Sequence, residues 1–188
     1  MSGPFSAKAL RRVTGALDRH GVAYMVCGKL AAILQGFPDT TQDIDIFPRP
    51  VPGNAERLIR ALGELGFNLT SQDRQDILGG KDFIQFPNAP IPLDIVHAPD
   101  GIESFEDAWR RGRKAGGVPV LALEDVLASK KAANRAKDRV VIMLLEPFVR
   151  SVRSRVPWNT DPLEPLEPER DRLERSIARR KDPGTSGH

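Results

Sequence analysis

Three aspartates and one glycine turn are the residues of this chain whose types and spacing could do chemistry. Asp43 and Asp45 stand two apart in QDIDIF. In a strand, residues i and i+2 share a face. Both carboxylates then point one way, while Ile44 and Ile46 point into a core. Two acids side by side repel unless a cation lies between them, and Mg²⁺ shared with substrate phosphates suits carboxylate oxygens. Asp94, in LDIV, has the same setting: Leu93 and Ile95 take the buried face and leave Asp94 on the other. If the two strands are neighbours, three acids converge. Such a cluster can hold two divalent ions, Mg²⁺ or Mn²⁺, over the phosphates of a nucleoside triphosphate. The alternative is an ordinary strand edge whose charges face water and discourage edge pairing.

Gly28 follows an apolar run and opens a short helical stretch, fifteen residues before Asp43. A strand running into glycine and then a helix presents free backbone N–H groups, which favour a phosphate, and glycine permits close approach. Lys29 would add a positive charge toward the β- or γ-phosphate. A plain strand-to-helix turn has the same pattern. Later in the chain, Lys130 falls on the apolar stripe of Leu123, Val126, Leu127 and Ala133, and Asp138 stands three before Val141 and seven before Leu145. An amphipathic helix does not turn a charge inward without a partner. Two explanations fit equally: Lys130 contacts triphosphate with Asp138 orienting it, or the two form a buried ion pair between helices.

The elements that must position these groups follow from periodicity and punctuation. Phe5–His20 reads as an amphipathic helix ended by Gly21, Ala23–Cys27 as a buried strand, Gly28–Gln35 as a short helix and Gln42–Phe47 as a two-faced strand. A second amphipathic helix runs through Ala55, Leu58, Ile59, Leu62 and Leu65 to Gly66. Phe67–Leu69 is expected as a short strand and Ser71–Lys81 as a loop. Asp82–Phe86 and Ile91–Val96 are expected as a hairpin joined by PNAP. Ile102–Arg113 reads as a helix and Val118–Leu121 as a strand. Leu123–Asn134 and Ala136–Arg153 form a helical pair, with a kink or break at Pro147. The expected fold class is α/β (α+β), a mixed β-sheet flanked by helices with this pair at its C-terminal end. Residues 1–155 would form the domain, its helical part spanning about 123–155. Residues 156–188, rich in Pro and mixed charge, would be a mobile tail carrying one short helix near Arg170–Arg180.

The chain has 188 residues, enough for one domain with a substantial core, and a formal net charge of +3. That balance permits a polyanionic partner without requiring one. A single cysteine, Cys27, excludes an intrachain disulfide and a Cys-based zinc site. The start has no apolar signal-like core, and Val140–Leu145, the longest strongly apolar run, is far too short to cross a bilayer. No membrane association and a cytoplasmic location are expected.

The stretch GKLAAILQGFPDTTQDIDI resembles the G-[GS]-x(n)-D-h-[DE]-h signature of the polymerase-β-like nucleotidyltransferases. The nearest group is the small AbiEii-like and MenT-like enzymes, many of them toxins of bacterial toxin–antitoxin pairs. Asp125–Lys130 and Asn134–Asp138 resemble that group's late lysine and R-x-K-D segment. The resemblance covers residues 5 to 150. It implies a Mg²⁺-bound NTP and transfer of a nucleotidyl group with loss of pyrophosphate. Carried onto this chain, Asp43 and Asp45 would be metal ligands, Asp94 the third acid and general base, Gly28 the phosphate turn, and Lys130 and Asp138 the late motif. The chain departs from the pattern at Lys29 (Gly or Ser preferred), Gln35 (His common) and Asp39 (Arg common), changes that would retune nucleotide choice or weaken catalysis.

The toxin-like resemblance implies a tRNA 3′ end as acceptor and a cognate antitoxin as partner. Arg110, Arg111, Arg113, Lys114, Arg135, Lys137 and Arg139 would contact phosphate backbone, or simply form a solvated basic face. The rival expectations are a nucleotide-binding protein of the same fold with little catalysis, which the Lys29 and Asp39 departures favour, and an enzyme modifying a small hydroxylated molecule such as an aminoglycoside. Thr41, just before the acids, is a candidate regulatory phosphorylation site.

Overall fold

The computed structural model describes residues 7–86, 89–152 and 160–166. In chain order the elements are α1 (Ala7–Arg19), β1 (Tyr24–Val26), α2 (Gly28–Leu34), β2 (Ile44–Pro48), α3 (Pro52–Glu64), α4 (Ser71–Leu78), β3 (Phe83–Gln85), β4 (Leu93–Val96), α5 (Phe105–Arg111), β5 (Arg113–Ala115), β6 (Val118–Val120), α6 (Leu123–Ala133), α7 (Ala136–Val152) and β7 (Thr160–Pro162). Among the described residues, seven strands form one mixed sheet in the order β3-β4-β2-β1-β6-β5-β7. β2 lies antiparallel to β1 and parallel to β4, while β1 lies parallel to β6.

Alternation along β2 and β4 decides which way the sheet faces. Ile44, Ile46, Leu93 and Ile95 are buried, and Asp45 and Asp94 stand between them on the opposite face. Leu10, Val13 and Leu17 of α1 and Leu58 and Leu62 of α3 join those four residues in one apolar core. Burying each such side chain contributes about 1.5–3 kcal/mol. The core therefore holds the sheet without help from the acidic face. On the C-terminal side, α6 packs against both α2 and α7. Pro147 lies inside α7, which runs on through it to Val152.

Several expectations are corrected. Ser71–Leu78 is a helix, not a loop. Thr70 caps it: its hydroxyl accepts from Asp73 N–H at 3.1 Å, and the Asp73 carboxylate accepts from Thr70 N–H at 2.8 Å. Reciprocal capping of this kind stabilises a helix start, and here it supports a helix that buries only Ile77. Phe67–Leu69 forms no strand. The helix expected over Ile102–Arg113 is confined to Phe105–Arg111, capped by Ser104, whose hydroxyl accepts from Asp107 N–H at 3.1 Å. Arg113 and Lys114 instead belong to β5, which pairs with β6 across the two-residue turn Gly116–Gly117. Both glycines have positive φ (56° and 86°), as tight hairpins require. β2 begins at Ile44 rather than Gln42, so Asp43 precedes the strand and is exposed.

Thr160–Pro162, within the stretch expected to form the tail, pairs with β5. An extended Pro-containing segment suits a sheet edge, where no further strand needs its N–H groups. Trp109 Nε1–H donates to Glu164 O at 2.7 Å beside it. The helix expected near Arg170–Arg180 lies outside the described residues.

Candidate active site

Parallel pairing of β2 and β4 sets Asp45 directly beside Asp94, one strand spacing of about 4.8 Å apart along the sheet. Asp43, two residues earlier, adds its charge to both. Asp45 is part-buried and its carboxyl is pushed up to about 6, first by loss of water, then by the neighbouring charges of Asp94 and Asp43, with Lys130 and Lys137 pulling the other way. Asp94 is also raised, chiefly by burial, while a hydrogen bond from Gln85 Nε2 at 2.9 Å opposes the shift. The like charges are thus only partly balanced, which leaves the pair receptive to an added positive charge.

Gly28 lies against this pair. Its φ is +61°, a conformation costly for any residue with a side chain. A Cβ there would stand 2.2 Å from Asp45 Oδ2. Only bare backbone fits between the turn and the carboxylate. Cys27 N–H donates to Asp45 O at 2.9 Å, locking the turn to β2. Cys27 offers no side-chain cap to α2, so the amides at the cleft wall are left without one.

The three departures from the nucleotidyltransferase pattern have structural explanations. Lys29 Nζ and Asp39 Oδ2 form an ion pair at 3.3 Å, so the two substitutions neutralise each other. Asp39 Oδ1 also accepts from Thr40 N–H at 2.6 Å, which fixes the loop entering the site. Gln35 is buried and donates through Nε2 to Ala31 O at 2.9 Å and Leu121 O at 2.8 Å. It ties the end of α2 to the residue after β6.

Lys130 and Asp138 meet as the inward faces of their helices require: Nζ and Oδ1 are 3.2 Å apart, with Asp138 only 4% exposed. Asp138 Oδ2 also accepts from Arg135 N–H at 3.3 Å and pairs with Arg135 Nε at 3.2 Å. The interhelical ion pair is therefore present, and it borders the same cleft as the acids. Asn134, at φ 47°, makes the tight corner between α6 and α7 that brings the pair together.

These groups line one open cleft of about 770 Å³. Gly28, Lys29, Thr41, Asp43, Asp45 and Asp94 lie on its walls with Lys130 and Asp138. Of the seven basic residues singled out by sequence, Arg135 and Lys137 line it. Arg110 and Arg111 pair with Asp107 and Asp125, the second at 3.0 Å, and Arg139 Nη1 donates to Asn134 O at 2.9 Å. Phe83 and Gln85 also line the cleft and were not anticipated. Their signal was the parity of the expected hairpin, since alternation about buried Ile84 puts both on the face of Asp94.

Among the described residues, no three His, Cys, Asp or Glu side chains are gathered tightly enough to form a complete metal cage. Mg²⁺ commonly takes one or two carboxylates and fills its remaining positions with water and substrate phosphate. The adjacent Asp45 and Asp94, partly uncompensated and walled by a glycine, fit that mode.

No family model matches this chain, and no curated protein matches it. Among solved structures it is similar to a Thermotoga maritima protein named "putative nucleotidyltransferase", with 21% identity, coverage of 79% of this chain and 92% of that one, and a TM-score of 0.42. Among the described residues, no helix is long and apolar enough to cross a membrane.

Proposed function

We propose that the cleft transfers a nucleotidyl group from an NTP to an acceptor hydroxyl. The observation that carries this is the in-register Asp45–Asp94 pair with the bare backbone of Gly28 against Asp45. Asp43, Asp45 and Asp94 would hold Mg²⁺ or Mn²⁺. When bound, the cation neutralises charge developing on the phosphate and on the attacking oxygen. Gly28 leaves room for the triphosphate beside Asp45, and Lys29 and Lys130 offer it positive charge. Asp138 holds Lys130 in place through their 3.2 Å contact. Asp94, with its raised affinity for a proton, accepts the proton of the acceptor hydroxyl. Positioning and electrostatics account for catalysis here, with no covalent intermediate on the protein.

We further propose a tRNA 3′ end as acceptor, with Arg135 and Lys137 at the cleft taking its phosphates. Blocking tRNA in this way would make the chain the toxin of a toxin–antitoxin pair, with a cognate antitoxin protein as partner and the cytoplasm as its location. The rival of a binding protein without catalysis rests on Lys29 and Asp39; their ion pair cancels the extra charge of Asp39 beside the acids but also occupies Lys29, so this is the second reading that the experiment decides. The test is incubation with Mg²⁺, each labelled NTP in turn and total tRNA, with Asp45→Ala alongside. Label on RNA that is lost in the variant supports the proposal. NTP binding without transfer to any acceptor contradicts it.

A further inference from the structure

The order of strands dictates which side of the acids each reactant must occupy. Across the sheet the sequence of groups is Gly28 after β1, Asp45 on β2, Asp94 on β4 and Gln85 on β3. In-line displacement puts the leaving pyrophosphate and the attacking hydroxyl on opposite sides of the α-phosphorus. With the triphosphate over Gly28 and Lys29, the hydroxyl must arrive from above β3.

On that side the cleft lining includes Phe83 and Gln85, which have no role so far, beside Asp82 and Val96. Gln85 is in register with Asp94 and Phe83 with Val96. Phe83 is 46% exposed. Among the described residues, Leu78, Val140, Met143 and Leu144 are the other exposed large apolar side chains, and Phe83 alone of these five lines the cleft. An aromatic ring left open beside a reaction centre is a stacking surface for a planar group. Arg135 and Lys137, at the corner of α6 and α7, line the same cleft; Arg135 is paired with Asp100 at 3.1 Å and Asp138 at 3.2 Å, and the Lys137 charge reaches both Asp45 and Asp94. An exposed ring, a carboxylate able to take a proton and a cation lining one cleft suit the base, hydroxyl and phosphate of a nucleotide.

We propose that Phe83 and Gln85 form the acceptor subsite, and that its occupant is the unpaired terminal nucleotide of an RNA strand, its base stacked on Phe83 and its phosphate against Lys137 and Arg135. This deepens the nucleotidyl-transfer proposal and rests on it. The hydroxyl oxygen of the terminal ribose bonds to the α-phosphorus of the NTP. The bond from that phosphorus to the bridging oxygen breaks, pyrophosphate leaves, and the hydroxyl proton passes to the Asp94 carboxylate. Gln85 is a positioning residue: by holding Asp94 Oδ2 it leaves the other oxygen for the acceptor's proton.

The test uses the full chain with Mg²⁺, NTP and two acceptors, total tRNA and free adenosine. Phe83→Ala and Phe83→Leu should raise KM for tRNA about 5- to 100-fold, the loss of one base stack, and leave KM for NTP unchanged. Phe83→Tyr should restore the acceptor KM. Gln85→Leu should lower kcat for transfer to tRNA while KM for NTP and the melting temperature stay unchanged, and Gln85→His, which keeps a donor to Asp94, should restore part of the rate, whereas a merely structural role would lower the melting temperature along with the rate. An unchanged acceptor KM in Phe83→Ala, or a rise in the NTP KM instead, would overturn the subsite. Adenosine accepting as efficiently as tRNA would overturn the RNA assignment. If the wild type transfers nothing, the transfer proposal fails, and fluorescence anisotropy with a short single-stranded RNA then decides the subsite: binding weakened by Phe83→Ala upholds it, and equal binding overturns it.

Discussion

Replacing Gly28 with alanine would place a methyl group 2.2 Å from Asp45 Oδ2. Real Cβ atoms essentially never come within 3.0 Å of such an atom, so the carboxylate must retreat by at least about 0.8 Å or the turn must open by as much. Rotation of Asp45 away from Gly28 drives it toward Asp94, where like charge opposes it. The φ of +61° adds about 1–2 kcal/mol for a residue with a side chain. A displacement of this size at a catalytic group costs about 10²-fold in rate. Gly28→Ala should therefore lower kcat for nucleotidyl transfer about 100-fold and lower Tm by about 2–8 °C for a chain of this size. The rate is read from label transfer to RNA and the stability from thermal melting followed by circular dichroism. Gly63→Ala is the control, because Gly63 lies in α3 with nothing within 4 Å of its Cβ position. It should keep full activity and gain up to about 1 kcal/mol from helix propensity. Gly28→Ala retaining wild-type rate and melting temperature would refute the close approach of the turn to Asp45, and with it the reason for glycine there.

Asp45 titrates near 6 in the fold against an ordinary value of 3.8. Its ionisation therefore opposes folding above about pH 6 and ceases to do so below about pH 4. Asp45→Asn should stabilise the cation-free protein by up to about 3 kcal/mol at pH 8, with the gain vanishing near pH 4; chemical denaturation at the two values checks this, and a gain that persists at the acid value would refute it. Asp39→Asn should release Lys29 toward the triphosphate and lower KM for NTP by up to about 5-fold, the range of a partly exposed ion pair. Lys29→Met should raise that KM, and movement of both variants in one direction would contradict the pairing. Lys130→Met or Asp138→Asn should each cost about 3 kcal/mol, with the double variant much less impaired than the sum; strictly additive losses in urea denaturation would show that the pair is not coupled. Thr41 lines the cleft beside the acids, and a phosphate on it would add about −1.5 to −2 charge. Protein phosphorylated there, as verified by mass spectrometry, should neither bind NTP nor transfer nucleotide, and an unaltered rate would rule out the site as a switch.

Much of the candidate site's geometry was legible because its signals are local. Parity in DIDI and LDIV separates acids from core residues without knowledge of the fold, and helical periodicity turned Lys130 and Asp138 inward before any contact was known. The adjacency of Asp45 and Asp94 was conditional, because the register of β2 on β4 joins residues forty-nine apart and no local signal specifies it. The Lys29–Asp39 pair was hidden for a related reason: each residue looks like a defect alone, and only the path of the Gly36–Asp43 loop brings them together. The fold was misread where elements lack an apolar period. α4 buries a single residue, so its Thr70–Asp73 capping box was the usable clue. β5 is three residues of Arg, Lys and Ala, and its clue was the Gly116–Gly117 turn rather than its own composition.

The most direct test of the central claim is to follow an NTP labelled either at its α- or at its γ-phosphorus, with Mg²⁺ and total tRNA, in the wild type and in Asp45→Asn. Nucleotidyl transfer predicts α-label on the RNA and γ-label only in pyrophosphate, with both signals lost when Asp45 is neutralised or the cation is chelated. Label carried to the acceptor from the γ-phosphorus, or α-label transferred undiminished by Asp45→Asn, would contradict it.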